Sequence, residues 1–93
     1  MLIGLLILEI YLPYSHSLKE KRKTLNKLKD RLKKRYNIAF AELDYLNKWQ
    51  RSKIGMVTLN TQKNMIDKVF QKIVLETEEN IEGEILQKEV VFL

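Results

Sequence analysis

The chain opens on an almost unbroken apolar run, MLIGLLILEIYLP. From Leu2 to Leu12 both alternating faces are apolar. Leu2, Leu6, Leu8, Ile10 and Leu12 fall on one, and Ile3, Leu5 and Ile7, then Glu9 and Tyr11, on the other. A strand apolar on both sides belongs in the middle of a sheet, and Pro13 ends it. The period then lengthens. Leu18, Leu25, Leu28, Leu32 and Tyr36 recur at helical spacing behind Ser17, with Glu20 three residues after the serine. This capping-box spacing predicts a helix beginning at Ser17, with Asn37 as its stop.

IAFAEL, from Ile38 to Leu43, predicts a second strand. Asp44 to Arg51 is a polar connection short enough for a hairpin-type link. Ser52 to Leu59 predicts a third strand, in which Gly55 permits close backbone approach. Asn60 and Thr61 supply a second helix start, and Met65, Ile66, Val69, Phe70, Ile73 and Val74 repeat in pairs every four residues. That helix fades in ETEENIEGE, where Gly83 breaks it, and Glu84 to Leu93 forms the last strand.

The order β-α-β-β-α-β predicts an α+β fold of the ferredoxin-like, split β-α-β type. It is a four-stranded antiparallel sheet with two helices on one face, each helical crossover joining parallel neighbours. Residues 1–93 make a single domain. The other sheet face is left open, yet the first strand is apolar there too, so a homo-oligomer through that face is expected.

Composition narrows the classes. Ninety-three residues hold one modest core, and 45% apolar with 31% charged residues suits a globular domain. With no cysteine, disulfides, thiol nucleophiles and thiolate metal sites are excluded. The N-terminal run is interrupted by Glu9, lacks a basic leader and falls short of the roughly 20 residues of a membrane span. A cytoplasmic protein away from membranes is expected. The net charge of +5 is uneven: residues 17–36 carry ten Lys and Arg against Glu20 and Asp30, a balance of +8, and the remainder stands at −3. Such a concentrated field attracts polyanions.

Two sets of candidate residues follow. Ser15, His16, Ser17, Lys19, Lys21 and Arg22 surround a helix N-terminus, where free amides and the dipole favour anions. Within that set Lys21 falls inside the leucine stripe, which suits either a snorkelling lysine or a pair with Glu9, Glu42 or Asp44. Lone His16, without a second histidine or cysteine, fits a capping role better than a metal or acid–base role, and no metal or cofactor is expected. Lys23, Lys27, Arg31, Lys34 and Arg35 lie along the helix and suit phosphates. Trp49 and Arg51, in a loop with Tyr45, Lys48 and Gln50, suit either stacking on unpaired bases or an interface between subunits.

RNA-recognition motif domains share this topology but place aromatics on the two central strands; here those strands read LIGLLILEI and SKIGMVTL. Acylphosphatases share it too, but their first loop is glycine-rich, and LPYSHSLKEKR is not. The segments GLLILEIYLP, SHSLKEKR, AELD, WQR and IGMV resemble the YlxP-like proteins, a bacterial family of unknown function, across essentially the whole chain. The resemblance implies a ferredoxin-like fold in a small cytoplasmic protein. Because family genes neighbour translation and ribosome-maturation genes, it also implies an RNA or ribosome connection, without catalytic residues. The chain departs from the family at Tyr45 and Leu46, where polar residues and a histidine are usual. The expected function is a non-enzymatic RNA- or ribosome-associated binding protein acting through the first helix. The alternatives are a homo-oligomeric protein-interaction or regulatory module, and a small-anion, acyl-phosphate-like enzyme at the Ser15–Arg22 turn.

Overall fold

The computed structural model describes residues 1–93. Six elements follow in the expected order: β1 (Leu2–Tyr11), α1 (Leu18–Arg35), β2 (Ala39–Asp44), β3 (Arg51–Asn60), α2 (Lys63–Asn80) and β4 (Glu84–Phe92). The sheet runs β2-β3-β1-β4 with every neighbouring pair antiparallel, an α+β ferredoxin-like arrangement. One expectation is corrected. The crossovers join strands that are parallel but not adjacent, because β3 lies between β1 and β2 and β1 lies between β3 and β4.

Period and burial agree along β1. Leu6, Leu8 and Ile10 are fully buried against the helices, joined by Ile54 and Met56 from β3. The helices contribute Leu25, Leu28 and Leu32 from α1 and Ile66, Phe70 and Ile73 from α2. On the opposite face Ile3, Leu5 and Ile7 remain half-buried beside Val57 and Val91, their partners in register being Leu59, Val57 and Gly55 on β3. Leu43 leans across Gly55, where any Cβ would stand 2.7 Å from its Cδ1.

The helix ends differ in detail from the sequence pattern. Ser17 caps α1 in extended geometry, its hydroxyl accepting from the Glu20 amide at 3.0 Å. α1 ends at Arg35, and the chain leaves through Tyr36 in extended conformation (φ −132°). Asn37, the expected stop, lies two residues past the last helical residue and is not left-handed, since Tyr45 is the only non-glycine residue with positive φ. α2 begins at Lys63, because the Asn60 side chain accepts from the Gln62 amide at 3.0 Å and holds a turn there. α2 has already ended at Asn80 before Gly83. Gly83 instead passes close under the end of β1: a Cβ there would lie 3.0 Å from the Tyr11 carbonyl carbon and closer still to its oxygen. No helix is long and apolar enough to cross a membrane.

Candidate functional site

The Ser15–Arg22 turn is partly tied down by its own chain. Glu20 Oε2 accepts from the His16 amide at 2.6 Å while the Ser17 hydroxyl takes the Glu20 amide, so the protein's own carboxylate places a negative charge at the start of the helix. Ser15 is buried and its hydroxyl donates to the Ser17 carbonyl at 3.3 Å. The shallow cleft alongside mixes Lys23 and Lys27 with Glu20 and Glu82. His16, Lys19 and Arg22 are exposed, and none of them lines the cleft that Ser15 lines.

Lys21 leaves the anion set altogether. Its side chain has no exposed surface; Nζ lies 2.9 Å from Glu42 Oε2 and donates to the Tyr45 carbonyl at 2.8 Å and to those of Leu46 and Arg51 at 3.4 Å. Glu42 also accepts from the Ser52 hydroxyl at 2.7 Å. A buried ammonium is tolerated only when paired and hydrogen-bonded in this way. Of the three carboxylates compatible with the sequence, Glu42 is therefore the partner.

The cationic residues of α1 divide into groups by helical angle. Arg31 and Arg35 turn toward α2 and engage Glu76, at 3.4 and 2.5 Å, and the Tyr36 hydroxyl donates to the same carboxylate. These two arginines bind helix to helix through Glu76, while their side chains remain about half exposed. Lys19, Lys23, Lys27 and Lys34 are exposed and have no carboxylate within ion-pair distance, Lys23 and Lys27 lining the cleft they share with Glu20 and Glu82. Asp30 stands in the same line without bonding any of them. Glu76 itself was hidden in the sequence by the acidic run around it. The one available signal was its position three residues after Ile73, on the apolar face of α2.

Burial pushes the Glu76 carboxyl up, but hydrogen bonds from Tyr36 and Arg35 and the charges of Arg35 and Arg31 outweigh it, holding the group below its ordinary value of 4.5. A folded value below the unfolded one means that Glu76 contributes its full stability above about pH 4.5. That contribution is lost as pH falls through the lower folded value. Urea midpoints of the wild type and Glu76→Gln should therefore differ near neutrality and converge in acid. A gap that stays constant with pH would contradict this.

The β2–β3 loop builds a different kind of site. Tyr45 has φ 62°, a left-handed conformation uncommon for a tyrosine. Its carbonyl accepts from both Lys21 Nζ and the Lys48 amide, at 2.8 and 2.9 Å. Gln50 stitches the loop to the β1–α1 turn, donating to the carbonyls of Pro13 and Ser15 at 3.1 and 3.2 Å. Arg51 Nη2 lies 2.8 Å from Glu9 Oε1 while its guanidinium carbon sits 4.8 Å from the Tyr45 ring centroid. The Tyr45 hydroxyl is the largest influence on Glu9, burial opposes it and Arg51 reinforces it; the net effect holds the Glu9 carboxyl below its ordinary range. Above these contacts opens a cleft of about 560 Å³, walled by Tyr11, Tyr45, Trp49 and Leu86 with Lys48 and Arg51 at its edge. Trp49 is 54% exposed. Nothing in the sequence pattern marks Tyr11 and Leu86, which also line it, as part of this site. Leu86 reaches it from the β4 side of an irregularity in the β1–β4 pairing, between the Glu9–Gln87 and Ile10–Ile85 pairs.

A family model described as "Protein of unknown function (DUF503)" matches residues 3–90. The "Uncharacterized protein YlxP" of Bacillus subtilis (strain 168) is 28% identical over 72 residues, spanning 77% of this chain and 78% of that protein. Among solved structures, "Structural Genomics, protein YJCS" superposes with a TM-score of 0.58 at 12% identity, covering 96% of each chain. The "De novo designed protein Ferredog-Diesel" gives 0.52 at 14% identity, covering 96% of this chain and 83% of the design. At these identities the two structures speak for the fold alone.

Proposed function

The chain belongs to the DUF503 family, and from that premise and the placement of its cations we propose a non-enzymatic RNA- or ribosome-associated binding protein that meets phosphates along the outer line of α1. The observation that carries this reading is the row Lys19, Lys23, Lys27 and Lys34, exposed and free of carboxylate partners. From first to last the row spans about 22 Å at the helical rise. Flexible ammonium groups on a straight rod suit sequence-independent contact with a phosphate backbone, in which counterion release supplies the affinity.

Binding of an RNA duplex, followed by fluorescence anisotropy, should weaken with salt at a log–log slope of about −3 to −4. The triple variant Lys23→Glu, Lys27→Glu, Lys34→Glu should lose on the order of a hundredfold in affinity. Lys68→Glu, Lys72→Glu, Lys88→Glu changes the net charge equally on other elements and should lose far less. Equal losses from both triples would reduce the effect to net charge and remove α1 as the interface.

The half-buried apolar row Ile3, Leu5 and Ile7 on the open face favours a second reading, a homo-oligomer joined through that face. Its test is a molecular mass that falls on dilution.

A further inference from the structure

The cleft at the β2–β3 loop is left over once the α1 reading is complete. It stands on different residues, and Tyr11 and Arg51 place it on the sheet face opposite the helices. Its volume, about 560 Å³, is within the range of small-molecule sites, roughly 300–1,000 Å³. Its composition is selective: three aromatic rings and a leucine form the walls, and the polar groups gather in the loop.

The charges narrow the ligand. Arg51 is already paired with Glu9 and covers Tyr45, so an incoming cation would meet a guanidinium in the place an ammonium would need. The Gln50 amide donates to Pro13 and Ser15 and is occupied. What remains available is the exposed Lys48 ammonium, which makes no ion pair, and the exposed Asn47 amide, beside the exposed indole of Trp49. A flat apolar wall, one amide able to donate and accept, and one free positive charge match a planar heterocycle carrying a phosphate. Stacking on such rings tolerates any base, and the lysine adds a charge contact.

The loop is also held ready. Lys21 fixes the carbonyls of Tyr45, Leu46 and Arg51 from below, and Tyr45 is kept in left-handed geometry. A strained residue fixed by its surroundings beside a cleft is a pattern of binding sites.

We propose that this cleft binds a nucleotide, free or as one unit of a single strand, with its base against Trp49 and Tyr11 and its phosphate at Lys48. Trp49 is the only tryptophan of the chain, so its emission reports the site directly. Three probes are titrated into the full-length protein: a nucleoside monophosphate, the corresponding uncharged nucleoside, and a single-stranded hexanucleotide. The monophosphate and the hexanucleotide should both quench Trp49. Tighter quenching by the hexanucleotide assigns the site to a strand, and equal quenching assigns it to a free nucleotide. Tyr11→Ala should weaken either by roughly tenfold. Lys48→Glu, on the exposed loop, should weaken the monophosphate several-fold and leave the nucleoside unchanged, a separation that no folding defect produces.

Absence of quenching at millimolar nucleotide overturns the proposal, as does quenching indifferent to both substitutions. So does an emission that changes with protein concentration alone, which would put a second copy in the cleft. The Lys23, Lys27, Lys34 charge-reversal variant keeps the two readings apart. If the α1 interface fails but the cleft stands, that variant binds duplex RNA like wild type and Trp49 is still quenched by monophosphate; if the cleft fails, duplex binding is lost in the variant and no nucleotide quenches.

Discussion

Replacing Lys21 with methionine should destabilise the protein by about 3 kcal/mol or more, the cost of leaving one member of a buried ion pair without its partner. Methionine fills much of the same space but brings no charge and no donor. Glu42 would keep only the Ser52 hydroxyl, and the Leu46 and Arg51 carbonyls would lose the donor they share. For a domain of this size the melting temperature should fall by about 10 °C or more. A second substitution separates the ion pair from simple packing. In Lys21→Met, Glu42→Leu both charges are gone, and much of the loss should return, because a buried pair replaced as a unit by apolar groups is often tolerated. Urea denaturation of the two variants beside wild type measures this. A single variant as stable as wild type would show that the ammonium contributes nothing to the fold.

The second large effect is expected at Gly83. Alanine there would press its methyl into the Tyr11 carbonyl, with Leu12 Cα 3.3 Å away. Both obstacles are backbone, and backbone in a paired strand has little room to yield. A cost of about 2–3 kcal/mol is expected, at the upper end of overpacking. Gly4→Ala makes the informative comparison. There the nearest atom is Ile66 Cγ2 at 2.6 Å, followed by the Phe70 ring, and side chains can turn away. Thermal melts should rank Gly83→Ala below Gly4→Ala; the reverse order would mean that the β1–β4 end is the softer of the two places.

Much of the architecture could be read from periodicity. The shift from alternation in β1 to a leucine stripe in α1, with Ser17 and Glu20 at its head, places strand, cap and helix without any tertiary information. What periodicity does not carry is which elements meet. Lys21 is conspicuous in the stripe, yet choosing Glu42 over Glu9 or Asp44 requires knowing that α1 lies above the β2 end of the sheet. The crossovers escape the pattern for the same reason, since strand order is decided by packing between distant segments. The pairing of the exposed Arg31 and Arg35 is hidden in the sequence because their partner, Glu76, is about forty residues away on another helix. The irregular β1–β4 pairing that brings Leu86 beside Tyr11 is likewise a property of two paired strands, and neither strand announces it alone.

Lys21 grips the β2–β3 loop through main-chain oxygens, which every amino acid possesses. The two ends of the loop, at residues 45–46 and at Arg51, are thus anchored from underneath, by a lysine that a glutamate on a neighbouring element holds in place. Asn47, Lys48 and Trp49 stand on this mount as interchangeable fittings. A lineage, or a designer, can rewrite those three positions to suit another guest while the frame that carries them keeps its shape.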